Sequence, residues 1–178
     1  MLIRSGEVEL REFVPALAGV LYELRNHPSV RRHMRSTAPI AREGHERWVQ
    51  ENLVRERKLH LFLVYVAGTP RGLALLRDFA GPSAEVGVMM VEAPRHRLAA
   101  YKATHLIGYY GFEVLGLERM LSRVPRHNRA ALAFNEACGL ERTGNDSEDY
   151  FELALTRERS RSHPIHRRFR ARYPITVV

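Results

Sequence analysis

The sequence predicts a single α/β domain of the α+β kind, with an antiparallel sheet at its centre and helices against it. Three observations predict it. Leu59 to Val91 reads as three consecutive strands joined by turn chemistry, which is the pattern of an antiparallel meander. Beyond Pro94 the hydrophobic period changes, and helix, strand, helix, strand follow in order. A chain of 178 residues that is 45% hydrophobic suits one substantial core, not two.

Val8 to Arg11 alternates apolar and charged residues and reads as a short strand with one wet face. Pro15 opens a helix running to about Arg25, because proline is tolerated in a first helical turn and Pro28 discourages continuation. A second helix runs from about Glu43 to Lys58, with Trp48, Val49, Leu53 and Val54 as its apolar stripe. The run Leu59 to Val66 is a buried strand, Ala67-Gly68-Thr69-Pro70 a turn, and Leu73 to Asp78 the returning strand. Gly81-Pro82-Ser83 turns the chain again into Ala84 to Val91, an apolar strand that carries one acid, Glu85. Leu98 to Leu115 is a long helix ended by Gly116; Met120 to Val124 is a strand, Asn128 to Cys138 a helix ended by Gly139, and Tyr150 to Leu155 the last strand.

The formal charge of +8 invites a nucleic-acid or membrane partner, so its location matters. From residue 157 onward there are seven Arg and one acid, Glu158; the rest of the chain holds 21 basic against 19 acidic residues. The organisation is therefore a domain over 1–156 and an Arg-rich tail over 157–178. A nucleic-acid role would rest on that tail alone, which lacks aromatic interleaving beyond Phe169 and Tyr173, and it is disfavoured. A lone Cys138 excludes an internal disulfide and fits a reducing cytoplasm. The N-terminus shows no signal-peptide pattern, and no run of about 18 apolar residues occurs, so a soluble protein without a membrane partner is expected. The nine His include no H-E-x-x-H or tight ligand pair before the tail, and no metal is expected.

The order of elements resembles the GNAT acetyltransferase superfamily, whose members move an acyl group from coenzyme A to an amine. The match is densest from Glu85 to Gly144, with an acid-bearing strand, a basic loop entering a helix, the YGFEVLGLERM segment, and Asn128, Ala131, Gly139-Leu140 and Gly144 in the family's spacing. The resemblance implies the GNAT fold, a central mixed, mostly antiparallel twisted sheet flanked by helices, with acetyl-CoA as co-substrate. The family's coenzyme A loop falls on Arg95-His96-Arg97-Leu98-Ala99-Ala100, opening into Tyr101, with Leu98 where glycine is usual. A pyrophosphate needs converging N–H donors, and a helix's first turn supplies them with a positive dipole end. Read without the family, Arg95 to Arg97 is a solvated basic loop.

A second resemblance covers about residues 8–156. Arg25-Asn26-His27-Pro28, Met34, His45 and Trp48 look like the subgroup that N-acetylates nucleotide-linked aminosugars, including the enzyme of pseudaminic acid biosynthesis. By carry-over Met34 and His45 face the nucleotide-sugar, with Arg25 nearby. A diphosphate suits Arg forks and a uracil suits an apolar or aromatic face. The same residues read equally as a helix end and core packing.

For the chemistry, an amine must lose a proton before it attacks a thioester, and the oxyanion and thiolate must be stabilised. Glu85 is the candidate general base, as a buried acid on the strand before the loop; its bland reading is a strand acid paired with Arg. Backbone N–H groups among Val88, Met89 and Met90 are the candidate oxyanion donors. The family usually has Tyr seven residues after the Asn, and here that position is Asn135, which hydrogen-bonds a thiolate but delivers no proton. Asn128 positions coenzyme A or caps its helix. Cys138 reads as packed core. The resulting expectation is direct attack within a ternary complex, ahead of protein N-terminal acetylation or a lapsed GNAT-fold binding module. A homodimer is compatible with the sequence and not specified by it.

Overall fold

The computed structural model describes residues 1–32, 34, 36–56, 58–91 and 98–178. Among the described residues nine strands form one sheet: β1 (Leu2–Ser5), β2 (Val8–Glu12), β3 (His60–Val66), β4 (Thr69–Ala80), β5 (Ser83–Met90), β6 (Arg119–Pro125), β7 (Glu141–Arg142), β8 (Tyr150–Thr156) and β9 (Thr176–Val177). Their order is β7-β8-β6-β5-β4-β3-β2-β1-β9. Every pairing is antiparallel except β5 with β6, which is parallel. That pair requires a crossover, and helix α4 (Ala99–Tyr109) lies within it, continuing as a wider turn over Tyr110–Val114.

The central strands explain the apolar run seen in sequence. On β3, Leu61, Leu63 and Tyr65 join Leu73 and Leu75 of β4 against α1 (Ala18–Asn26) and α3 (Arg42–Val49). The alternate residues Phe62, Val64, Val66, Ala74 and Leu76 pack on the other face against Ala103, Leu106 and Ile107 of α4. A strand covered on both faces has no wet positions, and each fully buried Leu or Phe contributes roughly 1.5–3 kcal/mol. The hairpin between β3 and β4 turns on Ala67 and Gly68, both at positive φ, the geometry that matches strand twist.

The remaining helices are α2 (Pro28–Arg31), α5 (Arg129–Ala137), α6 (Arg157–Ser162) and α7 (Pro164–Arg172). Three features extend beyond the sequence reading. β4 begins at Thr69 and accommodates Pro70 at a register shift opposite Val64 and Tyr65. β1 precedes β2 as a hairpin through Gly6. The Arg-rich segment 157–178 is folded onto the domain: α6 and α7 bury His166 and Phe169, and β9 pairs with β1, with Leu2 and Val178 exchanging main-chain hydrogen bonds of 2.8 Å. Arg157 donates to the Leu117 carbonyl (2.7 Å), Arg159 to that of Gly139 (2.7 Å), and Arg161 pairs with Glu113 (2.9 Å). No described helix is long and apolar enough to cross a membrane.

Candidate active site

β5 and β6 pair only at Ser83–Glu85 with Arg119–Leu121, although β5 continues to Met90 and β6 to Pro125. Beyond the paired stretch the strands part, and a cleft of about 750 Å³ opens between Val86–Met89 on one side and Ser122–Pro125 on the other. Backbone groups on that edge of β5 therefore have no neighbouring strand. Thr104 of α4 and Ala131, Phe134 and Asn135 of α5 also line it.

Glu85 sits where the strands begin to part, its side chain 8% exposed. Its two oxygens are held by different guanidiniums. Arg77, the cross-strand partner of Glu85 in register, donates to Oε1 through Nε at 3.1 Å and also through Nη2. Arg123, two residues beyond the strand partner Leu121, donates to Oε2 at 3.1 Å and approaches Glu152 at 3.5 Å. A carboxylate taken from water needs such partners. Arg77 owes its placement to an irregularity: the β4–β5 register shifts between Arg77 and Ala80, and Asp78 there has φ 51°. A bulge of this kind re-aims neighbouring side chains. Both guanidiniums are about half exposed, 51% and 48%.

Of the residues expected from sequence, the cleft gathers Glu85, Val88, Met89, Asn128, Asn135 and Met34. Asn128 accepts the Ala131 N–H at 3.0 Å and so caps α5 while also lining the cleft. Asn135 donates through Nδ2 to the Ala131 carbonyl at 2.8 Å, which fixes the orientation of the amide and leaves Oδ1 and the second N–H. Leu98 is 51% exposed, and the first hydrogen bond of α4 runs from Lys102 to the Leu98 carbonyl, so the N–H groups of Ala99, Ala100 and Tyr101 precede the helical ladder. Met90 ends β5. Arg95, His96 and Arg97 lie outside the described residues.

Arg25 and His45 do not line this cleft. His45 is 2% exposed; its Nε2 donates to the Ala18 carbonyl at 3.0 Å, so its Nδ1 accepts from Arg25 at 3.4 Å. The Arg25 guanidinium lies 4.1 Å from the Trp48 ring centroid, and Tyr22 meets the His45 ring edge-on. Together they join α1 to α3. Burial, with Arg25 adding to it, holds the His45 imidazole below its ordinary value. Cys138 is 1% exposed, and burial pushes its thiol up to about 12. Among the described residues no group of three or more His, Cys, Asp or Glu could hold a metal.

Arg77, Arg123, His127 and Tyr150 line the same cleft and escaped the sequence reading. A regular hairpin continued from Ala80 and Ser83 would set Asp78 opposite Glu85, and the register shift beyond Arg77 brings Arg77 there instead. Arg31, whose carbonyl accepts the Met34 N–H at 2.9 Å, buries Nε and Nη1 with no hydrogen-bond partner among the described residues.

The profile of the Acetyltransferase (GNAT) domain family matches residues 7–141. No curated protein matches the chain. Among solved structures, apo FdhC, a nucleotide-linked sugar GNAT, aligns with a TM-score of 0.78 and 19% identity over 95% of this chain and 97% of that one. The spermidine N-acetyltransferase from Vibrio cholerae in complex with CoA and spermine aligns at 0.71 and 19%, over 86% and 97%. A GNAT-family acetyltransferase from Bacillus anthracis aligns at 0.68 and 19%, over 89% and 99%. These identities speak for the fold alone. The domain profile spans most of the chain, including the two parting strands and both helices beside them, and on that ground the chain belongs to the GNAT acetyltransferase family and is an acetyl-CoA-dependent N-acetyltransferase.

Proposed function

We propose that the acceptor is the amino group of a nucleotide-linked aminosugar, acetylated by direct attack within a ternary complex. The observation that carries this reading is the charge at the cleft. Two half-exposed guanidiniums, Arg77 and Arg123, stand beside a single buried carboxylate that is already paired with both. Asp149 is the one other acid among the described lining residues. Such a mouth favours an anionic acceptor over a polyamine, whose several ammonium groups need unpaired carboxylates. The phenol ring of Tyr150 beside the arginines suits a nucleobase, and Met34 adds an apolar wall. The likeness to FdhC over nearly the whole of both chains agrees with this reading.

The residues present fit acetyl-CoA, which supplies an acetyl thioester when bound. The unpaired edge of β5 over Val88, Met89 and Met90 offers main-chain donors at alternate residues, Val88 and Met90, and the N–H groups of Ala99, Ala100 and Tyr101 add others. Arg95, His96, Arg97, Leu98 and Asn128 complete the proposed binding set. Glu85 takes the amine's proton, and the second Nδ2 hydrogen of Asn135 donates to the departing sulfur. The test is acetyl transfer to a panel of UDP-aminosugars, N-terminal peptides and spermidine, with Glu85→Gln alongside. The proposal expects the UDP-aminosugars to win and Glu85→Gln to lose about a hundredfold in kcat. A peptide or spermidine as best acceptor would overturn the substrate assignment, and full activity of Glu85→Gln the base assignment.

A further inference from the structure

A carboxylate oxygen takes up a proton through an unoccupied lone pair, and Oε1 of Glu85 has none: Arg77 fills both through Nε and Nη2, while Arg123 donates once to Oε2. The two arginines are not equivalent. Arg123 is tied on both sides, to Glu85 and to Glu152, and Glu152 is held in turn by the Thr143 hydroxyl at 2.9 Å. Arg77 has an exposed alternative only, Asp78, with Nε 3.6 Å from a carboxylate 64% exposed. It projects from a bulged stretch of β4, where the ladder is interrupted and the backbone has room to adjust. Arg77 is the movable half of the clamp.

We propose that Arg77 is a substrate-operated clamp on Glu85: a phosphate of the acceptor draws the Arg77 guanidinium off Oε1, and the freed oxygen takes the amine's proton. The inference rests on the nucleotide-linked acceptor proposed above. Its chemistry balances. Arg77 stays protonated and exchanges a carboxylate for a phosphate as its counter-ion, a swap between two charge-assisted, fork-shaped pairings of similar strength. One proton passes from the ammonium nitrogen to Oε1, the nitrogen keeps the electron pair for attack, and Oε2 remains held by Arg123. An amine without a phosphate leaves the clamp shut, so one side chain links recognition of the acceptor's anionic part to proton removal at its reactive part. Arg77 is thus a specificity-determining residue that acts on the base.

The clamp makes an unusual demand, namely that phosphate and amine need not belong to one molecule. Free UDP added with a nucleotide-free aminosugar should accelerate acetylation of that sugar by about tenfold in the wild-type enzyme and not in Arg77→Gln. Calorimetry with UDP alone, without acetyl-CoA, should show binding weakened about tenfold in Arg77→Gln, as expected for loss of a charge-assisted pair. Arg77→Lys, which keeps the charge without the fork, should bind UDP at an intermediate level, and it serves as the working variant if Arg77→Gln does not fold. UDP that leaves the wild-type rate unchanged or lowers it would overturn the clamp, as would equal UDP binding by wild type and variant. Failure of every UDP-aminosugar as a substrate, with UDP still activating, would overturn the substrate reading instead.

Discussion

Acid should destabilise this protein through one pair of rings, His105 on α4 and His166 on α7. Hydrogen bonding fixes both tautomers. His166 Nε2 lies 2.8 Å from the Cys138 carbonyl, which only accepts, so that nitrogen carries the proton and Nδ1 is a lone pair. His105 Nδ1, 3.3 Å away, donates to it, and His105 Nε2 is left as a buried lone pair without a partner among the described residues. A second proton on His166 would face another N–H, and one on His105 would meet no acceptor. The rings are 4% and 2% exposed, and burial, reinforced by neighbouring His and Arg170 charge, holds both down at about 4 against an ordinary 6.5. Below pH 6.5 the unfolded chain protonates these rings while the folded one does not. Stability therefore falls as pH drops from 6.5 toward 4 and levels off beneath. Each ring forfeits about 2 kcal/mol at pH 5 and about 3 kcal/mol at pH 4, against a total of about 5–15 kcal/mol for an ordinary domain. Urea unfolding at pH 7, 6 and 5 checks this, comparing wild type with His105→Phe, which keeps a ring and removes one titrating group. The variant should start less stable, because His166 Nδ1 loses its donor, yet lose about 2 kcal/mol less between pH 7 and pH 5. Equal losses would refute the assignment.

Two further outcomes follow from the packing. A Cβ on Gly72 of β4 would run into the Met89 carbonyl oxygen and come within 2.6 Å of Met90 Sδ, so Gly72→Ala should displace the β5 edge. We expect a loss of about 2 kcal/mol or more in stability together with weaker acetyl-CoA binding by calorimetry, and wild-type values for both would show that the edge yields freely. Because burial keeps the Cys138 thiol protonated, a thiol reagent at pH 8 should label it only on unfolding, and Cys138→Ala should retain most of its kcat. Rapid labelling of the folded enzyme would make Cys138 a reacting group after all.

What the sequence made legible was whatever depends on local periodicity. The doubly covered β3, the Pro15-opened 3-10 turn (Pro15–Leu17) that leads into α1, the Asn128 cap and the Gly139 stop all follow from rules acting within a few residues. What escaped depends on register and closure. β9 is two residues long and exists because β1 offers it an edge, so no period announces it. The Arg77–Glu85 contact needs a bulge at Asp78 that shifts the hairpin register, and the sequence gives no count of that extra residue. Arg25 and His45 illustrate a different limit. Guanidinium, imidazole and indole are the groups that would grip a nucleotide, and they are equally the groups that stack on one another between helices. Only their burial against Ala18 and Trp48 separates the two uses.

The same distinction applies to part of the excess charge. Within the Arg-rich segment Arg157 and Arg159 are turned inward onto carbonyls, whereas Arg167, Arg168 and Arg172 stay exposed. Leu117 follows the end of the α4 crossover helix and Gly139 follows the end of α5, both places where main-chain carbonyls and the negative end of the dipole call for cations. Arginine suits these positions better than lysine because one planar fork reaches a carbonyl through two N–H groups, as Arg157 does, or a carbonyl and an acid together, as Arg159 does with Gly139 and Glu141. His166 adds a third tie at the Cys138 carbonyl. The segment thus fastens the far ends of the two helices whose opposite ends carry Ala99–Tyr101 and Asn128. Its charge holds α4 and α5 in place, the two helices that carry the proposed acetyl-donor set, while Arg77 and Arg123 are the arginines that line the cleft among the described residues.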